Sequence, residues 1–229
     1  MQKCQYYKCS KKNTAKLLTF IIKNDIIYLE VRDMLKLNNI CSIISRGISL
    51  SVQDKSTKGN YYIVRLADIK EDGKIILSND SKYQIDDEKN LLYNYGVQDG
   101  DLIMSEMTRT LPNIRIVNNP YKEDNVLYSL RTIFIRVNPN RYNVEFLKNI
   151  LNSPKYNQKL LKIVYREIKK VVNGKLVGSG LFQVSISDLR NFEIPDISLE
   201  EQEKILKQEI VLKNEITDLE EKLHTLYDL

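Results

Sequence analysis

The sequence predicts an α+β fold: a domain on a mixed or antiparallel sheet, followed by one long C-terminal coiled-coil helix. Three observations carry this. From Met34 to about Phe134 short β-rich runs alternate with turn residues, which is the spacing of a mixed or antiparallel sheet and not of repeated parallel βαβ units. Two helical patterns follow, Val144 to Leu151 and Lys155 to about Val172. Beyond Pro195, Ile205, Leu212, Leu219 and Leu226 recur every seven residues with no Gly or Pro between them.

Residues 1–32 read as a basic N-terminal β-hairpin extension. Lys3, Lys8, Lys11, Lys12, Lys16 and Lys23 precede the first acid, Asp25, and the runs Leu17 to Ile22 and Ile26 to Val31 flank Lys23-Asn24-Asp25. Residues 33–196 form the sheet domain. Its expected strands include Tyr61 to Leu66, Ile75 to Leu77, Asp101 to Met104, Ile114 to Val117 and Thr132 to Val137, with turns at Glu71-Asp72-Gly73 and Gln98-Asp99-Gly100. The helix Val144 to Leu151 stops at Asn152-Ser153-Pro154. In the next helix Lys155, Lys159, Lys162 and Arg166 share one face, opposite Leu161, Val164 and Ile168, and Asn173-Gly174 ends it. A glycine-rich turn and a strand from Leu181 to Ile186 return the chain to the sheet.

Residues 197–229 form the coiled-coil helix, a rod whose seam suits a helical partner. Ser198-Leu199-Glu200-Glu201 has the spacing of a capping box. The seam is Ile205, Leu212, Ile216, Leu219, Leu223 and Leu226, polar at its start through Gln202 and Glu209. An amphipathic helix packed on its own domain is the other use of such a pattern; the strict period and the flanking Pro favour a projecting rod with a helical partner.

Composition narrows the function classes. The 229 residues suffice for one well-buried domain and an appendage, or for two small domains. No apolar run approaches a membrane span, and no apolar stretch leads to a small-residue cleavage site, so the expected location is a reducing cytoplasm. The net charge of +5 hides an asymmetry: Ser198 to Leu229 holds nine acids and four bases, a net of −5, which leaves about +10 on residues 1–197. A basic body on an acidic rod suits a polyanion partner, although a lysine-rich solvated surface gives the same charge.

Catalytic constellations are missing from the sequence. The single His, His224, lies on the rod and excludes a His-based triad in the body. There is no Walker loop and no strand–G-x-G-x-x-G–helix unit for a nucleotide or S-adenosylmethionine. Asn118-Asn119-Pro120-Tyr121 resembles an N-P-P-Y motif, but its second position is Asn and no cofactor loop precedes it; it reads as a turn. Cys4 and Cys9 form half of a possible zinc site with no second half, and Asp86-Asp87-Glu88 reads as a solvated loop. The chain is therefore expected to be no enzyme, with no metal and no cofactor of its own.

Several strings occur in a telling order: Ile43-Ile44-Ser45-Arg46-Gly47; Tyr62 to Ile69 with Asp72-Gly73-Lys74-Ile75; Gly100-Asp101-Leu102-Ile103 with Met104-Ser105; and Ile186-Ser187-Asp188-Leu189 with Ile194-Pro195, then Leu199-Glu200-Glu201-Gln202-Glu203-Lys204-Ile205. Over roughly residues 35–229 this order resembles one half of a type I restriction–modification specificity subunit. The first 30 residues have no counterpart there, and a full subunit carries two recognition domains and two helices. The resemblance implies a DNA target-recognition domain that reads one half of a bipartite site in double-stranded DNA, with the helix as a ruler between halves. It implies assembly with an adenine methyltransferase subunit and a restriction (translocase and endonuclease) subunit. S-adenosylmethionine and ATP with Mg belong to those partners.

With one half present, two copies pairing their rods antiparallel as a homodimer would predict an interrupted palindrome. Helices of the methyltransferase partners could use the same seam. A different reading is a non-catalytic coiled-coil interaction or regulatory protein whose domain binds DNA weakly or binds another protein.

For DNA contact the expectations are specific. Lys155, Lys159, Lys162 and Arg166 are candidates for the phosphate backbone, and Arg46, Lys55, Lys58, Arg109 and Lys175, on loops beside the strings above, for base reading. Tyr61 and Tyr62 are candidates for stacking.

Overall fold

The computed structural model describes residues 33–50, 55–56, 58–78, 82–85, 90–108, 113–122, 124–164, 171–172, 175–176 and 182–227. The expected hairpin of residues 1–32 lies outside them. The strands are β1 (Met34–Lys36), β2 (Cys41–Arg46), β3 (Tyr61–Val64), β4 (Lys82–Tyr83), β5 (Leu102–Ser105), β6 (Met107–Thr108), β7 (Arg115–Ile116), β8 (Val126–Tyr128), β9 (Thr132–Val137), β10 (Val171–Val172), β11 (Lys175–Leu176), β12 (Phe182–Gln183) and β13 (Glu193–Pro195). The α-helices are α1 (Leu91–Tyr95), α2 (Val144–Asn152), α3 (Pro154–Val164), α4 (Ile186–Arg190) and α5 (Leu199–Tyr227). One compact unit comprises Leu35–Ile194, and a second includes Pro195–Leu229. The fold class is α+β with a long C-terminal helix, as the sequence predicts.

Among the described residues the two larger sheets form the centre of the body, beside three two-stranded pairs. One has four antiparallel strands in the order β2-β9-β5-β7; the other has the order β4-β3-β8, with β3 antiparallel to β4 and parallel to β8. β-branched and aromatic residues supply both, which suits a pleated, half-buried surface. Val64, Ile103, Val126, Tyr128 and Phe134 bury their side chains between the sheets, and the Tyr128 and Phe134 rings stack with centroids 4.6 Å apart. On the other face of β3, Tyr61 and Ile63 pack with Leu91 and Leu127.

The motif strings acquire physical reasons here. A Cβ on Gly47 would lie 2.1 Å from the Tyr128 carbonyl oxygen, so only glycine lets β2 pass this close to β8. Gly100 turns at φ +81° and delivers Asp101 into the body, where it is 1% exposed. The Asp101 carboxylate accepts from Arg136 Nε and Nη2 at 2.9 Å each, from the Tyr128 hydroxyl at 3.0 Å and from the Gln98 amide at 3.0 Å. Asp68 holds Arg65 in a fork, at 3.1 Å from Nε and 3.0 Å from Nη2. Asn118 to Tyr121 is a turn, in which the Asn119 side chain accepts from the Tyr121 amide at 3.0 Å.

Three expected elements differ. The helix from Lys155 is described to Val164 and does not include Val172, because Val171–Val172 pairs antiparallel with Lys175–Leu176. The β-branched valines favour a strand, and Asn173-Gly174 between the strands is a hairpin composition, not a helix stop. Of the expected strand Leu181 to Ile186, Phe182–Gln183 is strand, Ile186 is not, and Leu181 lies outside the described residues. Ser185 caps α4, its Oγ accepting from the Asp188 amide at 3.3 Å, and this takes Ile186 into a helix. Ile75 to Leu77 forms no strand of its own; only single bridges join Lys74 to Asn118 and Ile75 to Ile69.

In the second unit α5 covers 29 residues, about 44 Å at helical rise. The Glu201 amide donates to Ser198 Oγ at 3.3 Å, and Gln202, fully buried, donates from Nε2 to the Ile197 carbonyl at 2.7 Å. Among the described residues no helix is long and apolar enough to cross a membrane.

Candidate nucleic-acid interface

Helix α3 begins at Pro154, where a missing N–H costs nothing. It buries Tyr156, Asn157 and Leu160, with Leu161 only half-buried, so its apolar face is turned from the one expected. Lys155 and Lys159 flank the buried edge, their ammonium groups 5.8 and 5.0 Å from the Tyr156 ring centroid, and that ring meets Phe192 edge-on. Their stems cover the aromatic while their charges stay at the rim. Lys162, one turn on, is exposed. The three lysines form a short cationic edge, of which Lys155 and Lys159 are held by the buried Tyr156. Arg166 lies outside the described residues.

A second cationic group lies on the three-stranded sheet. Lys55 and Lys58 are exposed on the connection between β2 and β3. That connection is held to β4: Lys55 bridges Tyr83, the Ser56 amide donates to the Lys82 carbonyl at 3.1 Å, and Gly59 lies against the Tyr83 backbone. Lys82 sets its ammonium 4.9 Å from the Tyr62 ring centroid. Tyr61 is 4% exposed and belongs to the core, whereas Tyr62 is half-buried; of the two, Tyr62 can still be reached. Lys82 escaped sequence reasoning because its strand is two residues long and carries no periodicity.

The arginines are used differently. Arg46 Nε stands 2.9 Å from Glu106 Oε1, an ion pair without hydrogen-bond alignment, and its Nη2 donates to the Val184 carbonyl at 3.3 Å. Glu106 is 4% exposed and also accepts from Gln183 Nε2 at 2.7 Å, so Arg46 ties β2 to the β5–β6 corner and to β12. Arg115 donates to the Ile69 carbonyl at 2.7 Å and Arg190 to the Ile44 carbonyl at 2.9 Å. Arg65 and Arg136 are held by aspartates. In Arg46, Arg115, Arg136 and Arg190 the forked guanidinium meets part-buried acceptors, whereas Arg65, Arg131 and Arg141 are exposed. Lys175 lies on β11 opposite Val172; Arg109 lies outside the described residues.

A polar cleft of about 450 Å³ opens near β7 and α2, with Arg115 and Lys148 facing Glu71, Asp72 and Glu145. Three acids against two bases give it no attraction for a polyanion.

No family model matches the sequence, and no curated protein matches it. Solved structures do. The S subunit of a type I restriction–modification system from M. genitalium is 12% identical, with TM-score 0.45 over 82% of this chain and 40% of that one. The HsdS subunit from Thermoanaerobacter tengcongensis is 19% identical, with TM-score 0.48 over 82% of this chain and 43% of that one. A chain from a structure of complex assembly and conformational transition in the type I R-M system is 16% identical, with TM-score 0.53 over 95% of this chain and 51% of that one. The chain thus spans about half, or less, of the length of the chains it matches. The last of these likenesses shows that it shares its fold with a component of a type I restriction–modification system.

Proposed function

We propose that this chain is a specificity component of a type I restriction–modification system, reading one half of a bipartite sequence in double-stranded DNA. It works with an adenine methyltransferase subunit and a restriction subunit and performs no chemistry itself. S-adenosylmethionine and ATP with Mg are bound by those partners, in the cytoplasm with the DNA. The observation that carries the reading is the fold shared over 95% of the chain with a component of such a system. The charge division, about +10 on residues 1–197 against −5 on the rod, supports it independently.

Within this reading Lys155, Lys159 and Lys162 hold the phosphate backbone, and Arg166 is assigned the same role from its sequence spacing. Lys55, Lys58 and Lys82 approach the duplex from the sheet side, and Lys175 on β11, together with Arg109, is assigned to base contact. Arg46 serves by fixing the β2 end through Glu106. The rod spaces two recognition domains and supports a homodimer. Ile210 and Val211, 59% and 55% exposed and off the seam, offer a further helix a place to pack.

The test is co-purification with an adenine methyltransferase subunit encoded nearby, followed by mapping of methylated adenines. A complex that methylates a split sequence is expected. Absence of both complex and methylation would overturn the proposal in favour of a coiled-coil interaction protein.

A further inference from the structure

The seam of α5 runs Ile205, Glu209, Leu212, Ile216, Leu219, Leu223 and Leu226, in alternating steps of four and three. Towards its end it is bare: Leu219 is 60%, Leu223 43% and Leu226 69% exposed. One flank of the seam carries Gln208, Glu215 and Lys222, a heptad apart. We propose that a second copy of this chain covers the seam, antiparallel, in the register that sets Ile216 against Leu219 and Leu212 against Leu223, with Glu215 of each copy bonded to Lys222 of the other. This rests on the two-copy reading above and adds to it the register and the residues that choose it.

The argument is one of charge complementarity. In that register the twofold axis passes between Thr217 and Asp218. Glu215 of one helix and Lys222 of the other then lie on the same side of the seam, about 3 Å apart along the axis at helical rise. Helical side chains lean towards their own N-terminus, so in opposed helices these two lean towards each other. Symmetry makes the contact twice. Leu226 faces Glu209, whose carboxylate is 2.7 Å from Lys213 of its own helix and stays at the solvent end.

The alternatives are penalised. Sliding the pair by one heptad sets Glu215 against Glu215, or Lys222 against Lys222. A parallel pair brings Glu215 towards Glu220 of the other copy, the flanking residue of the following heptad. Like charges there disfavour both arrangements. Lys222 also sits 2.7 Å from Asp218 in its own helix, with both side chains more than half exposed, so the ammonium can serve both acids. A flank complementary to itself in one orientation and one register points to a second copy and not to an unrelated helix.

The experiment measures the dimer dissociation constant of the full chain by sedimentation equilibrium, for the parent, Glu215→Lys and Lys222→Glu. Each variant is expected to raise the constant about tenfold, as for two exposed ion pairs reversed. Mixing the two variants should restore the parent value, because both contacts between copies are then Lys to Glu. Helix content by circular dichroism guards against a purely internal effect of Lys222→Glu. Tighter dimerisation by Glu215→Lys would establish the parallel arrangement and overturn the proposal, as would a mixture no better than its parts. A parent chain that binds its DNA site as a monomer overturns the pairing and leaves DNA reading intact. A dimer that binds no DNA does the reverse.

Discussion

Replacing Asp101 with Ala removes the acceptor of four hydrogen bonds from a site 1% exposed. It leaves the Arg136 guanidinium, whose side chain is 15% exposed, without its counter-ion, and the buried Tyr128 hydroxyl without its acceptor. Arg136 keeps one bond, from Nη2 to the Gly96 carbonyl at 2.8 Å, which does not neutralise it. Breaking one side of a buried pair costs about 3–5 kcal/mol, and an unsatisfied buried hydroxyl about 1–3 kcal/mol. The two losses share a site and do not add fully, so the expected change is about 4 kcal/mol. Against a total stability of about 5–15 kcal/mol, this removes from about a quarter to most of it. The assay is urea denaturation at neutral pH, with the Asp101→Ala/Arg136→Met double variant alongside. Methionine removes the stranded charge while filling most of the space, so the double variant should regain a large part of the loss. A single variant that loses less than about 1 kcal/mol, or a double variant no better than the single, would refute the view of this pair as a buried and mutually dependent unit.

Four further outcomes are expected. Burial pushes the Cys41 thiol from 9.0 up to about 12, so the stability this protonated thiol contributes is complete below pH 9 and falls as the pH rises towards 12, by at most about 1.4 kcal/mol per pH unit. Cys41→Ala should flatten unfolding free energies measured between pH 9 and 10.5; an unchanged slope would count against a protected thiol. Gly47→Ala, whose Cβ meets the Tyr128 carbonyl, should cost about 2–3 kcal/mol, whereas Gly100→Ala, with nothing within 4 Å, should cost only the left-handed backbone penalty of about 1–2 kcal/mol. Lys159→Ala with Lys162→Ala should weaken binding to all DNA sequences alike and reduce the slope of log K against log salt by about two; salt-insensitive binding by the parent would end the backbone-contact idea. Loss of binding to one sequence only would make these lysines base readers instead.

Local chemistry decided what the sequence could reveal. The heptad from Ile205 to Leu226, the capping serine at Ser198, the turn at Asn118 to Tyr121 and the strand Thr132 to Val137 all depend on residues close in the chain, and each was legible. The ordered strings were legible too, though not their cause, because Gly47, Asp101 and Arg136 are related only through contacts across the body. Helix α3 shows the limit: its basic spacing was readable, but which neighbouring side chains go inside depends on Phe192, distant in sequence. The two-residue strands β10 and β11 pair valines that would equally extend a helix; only the partner strand decides. The division of labour between the cations was invisible for the same reason. Arg46 looks like a free loop arginine until the fold brings buried Glu106 beside it, and Lys82 looks like a loop lysine until Tyr62 lies under it. Periods, caps and net charge follow from residues that are neighbours in the chain. Tertiary structure alone decided which charges are neutralised inside and which remain for a partner, since that depends on desolvation and on neighbours far apart in the chain.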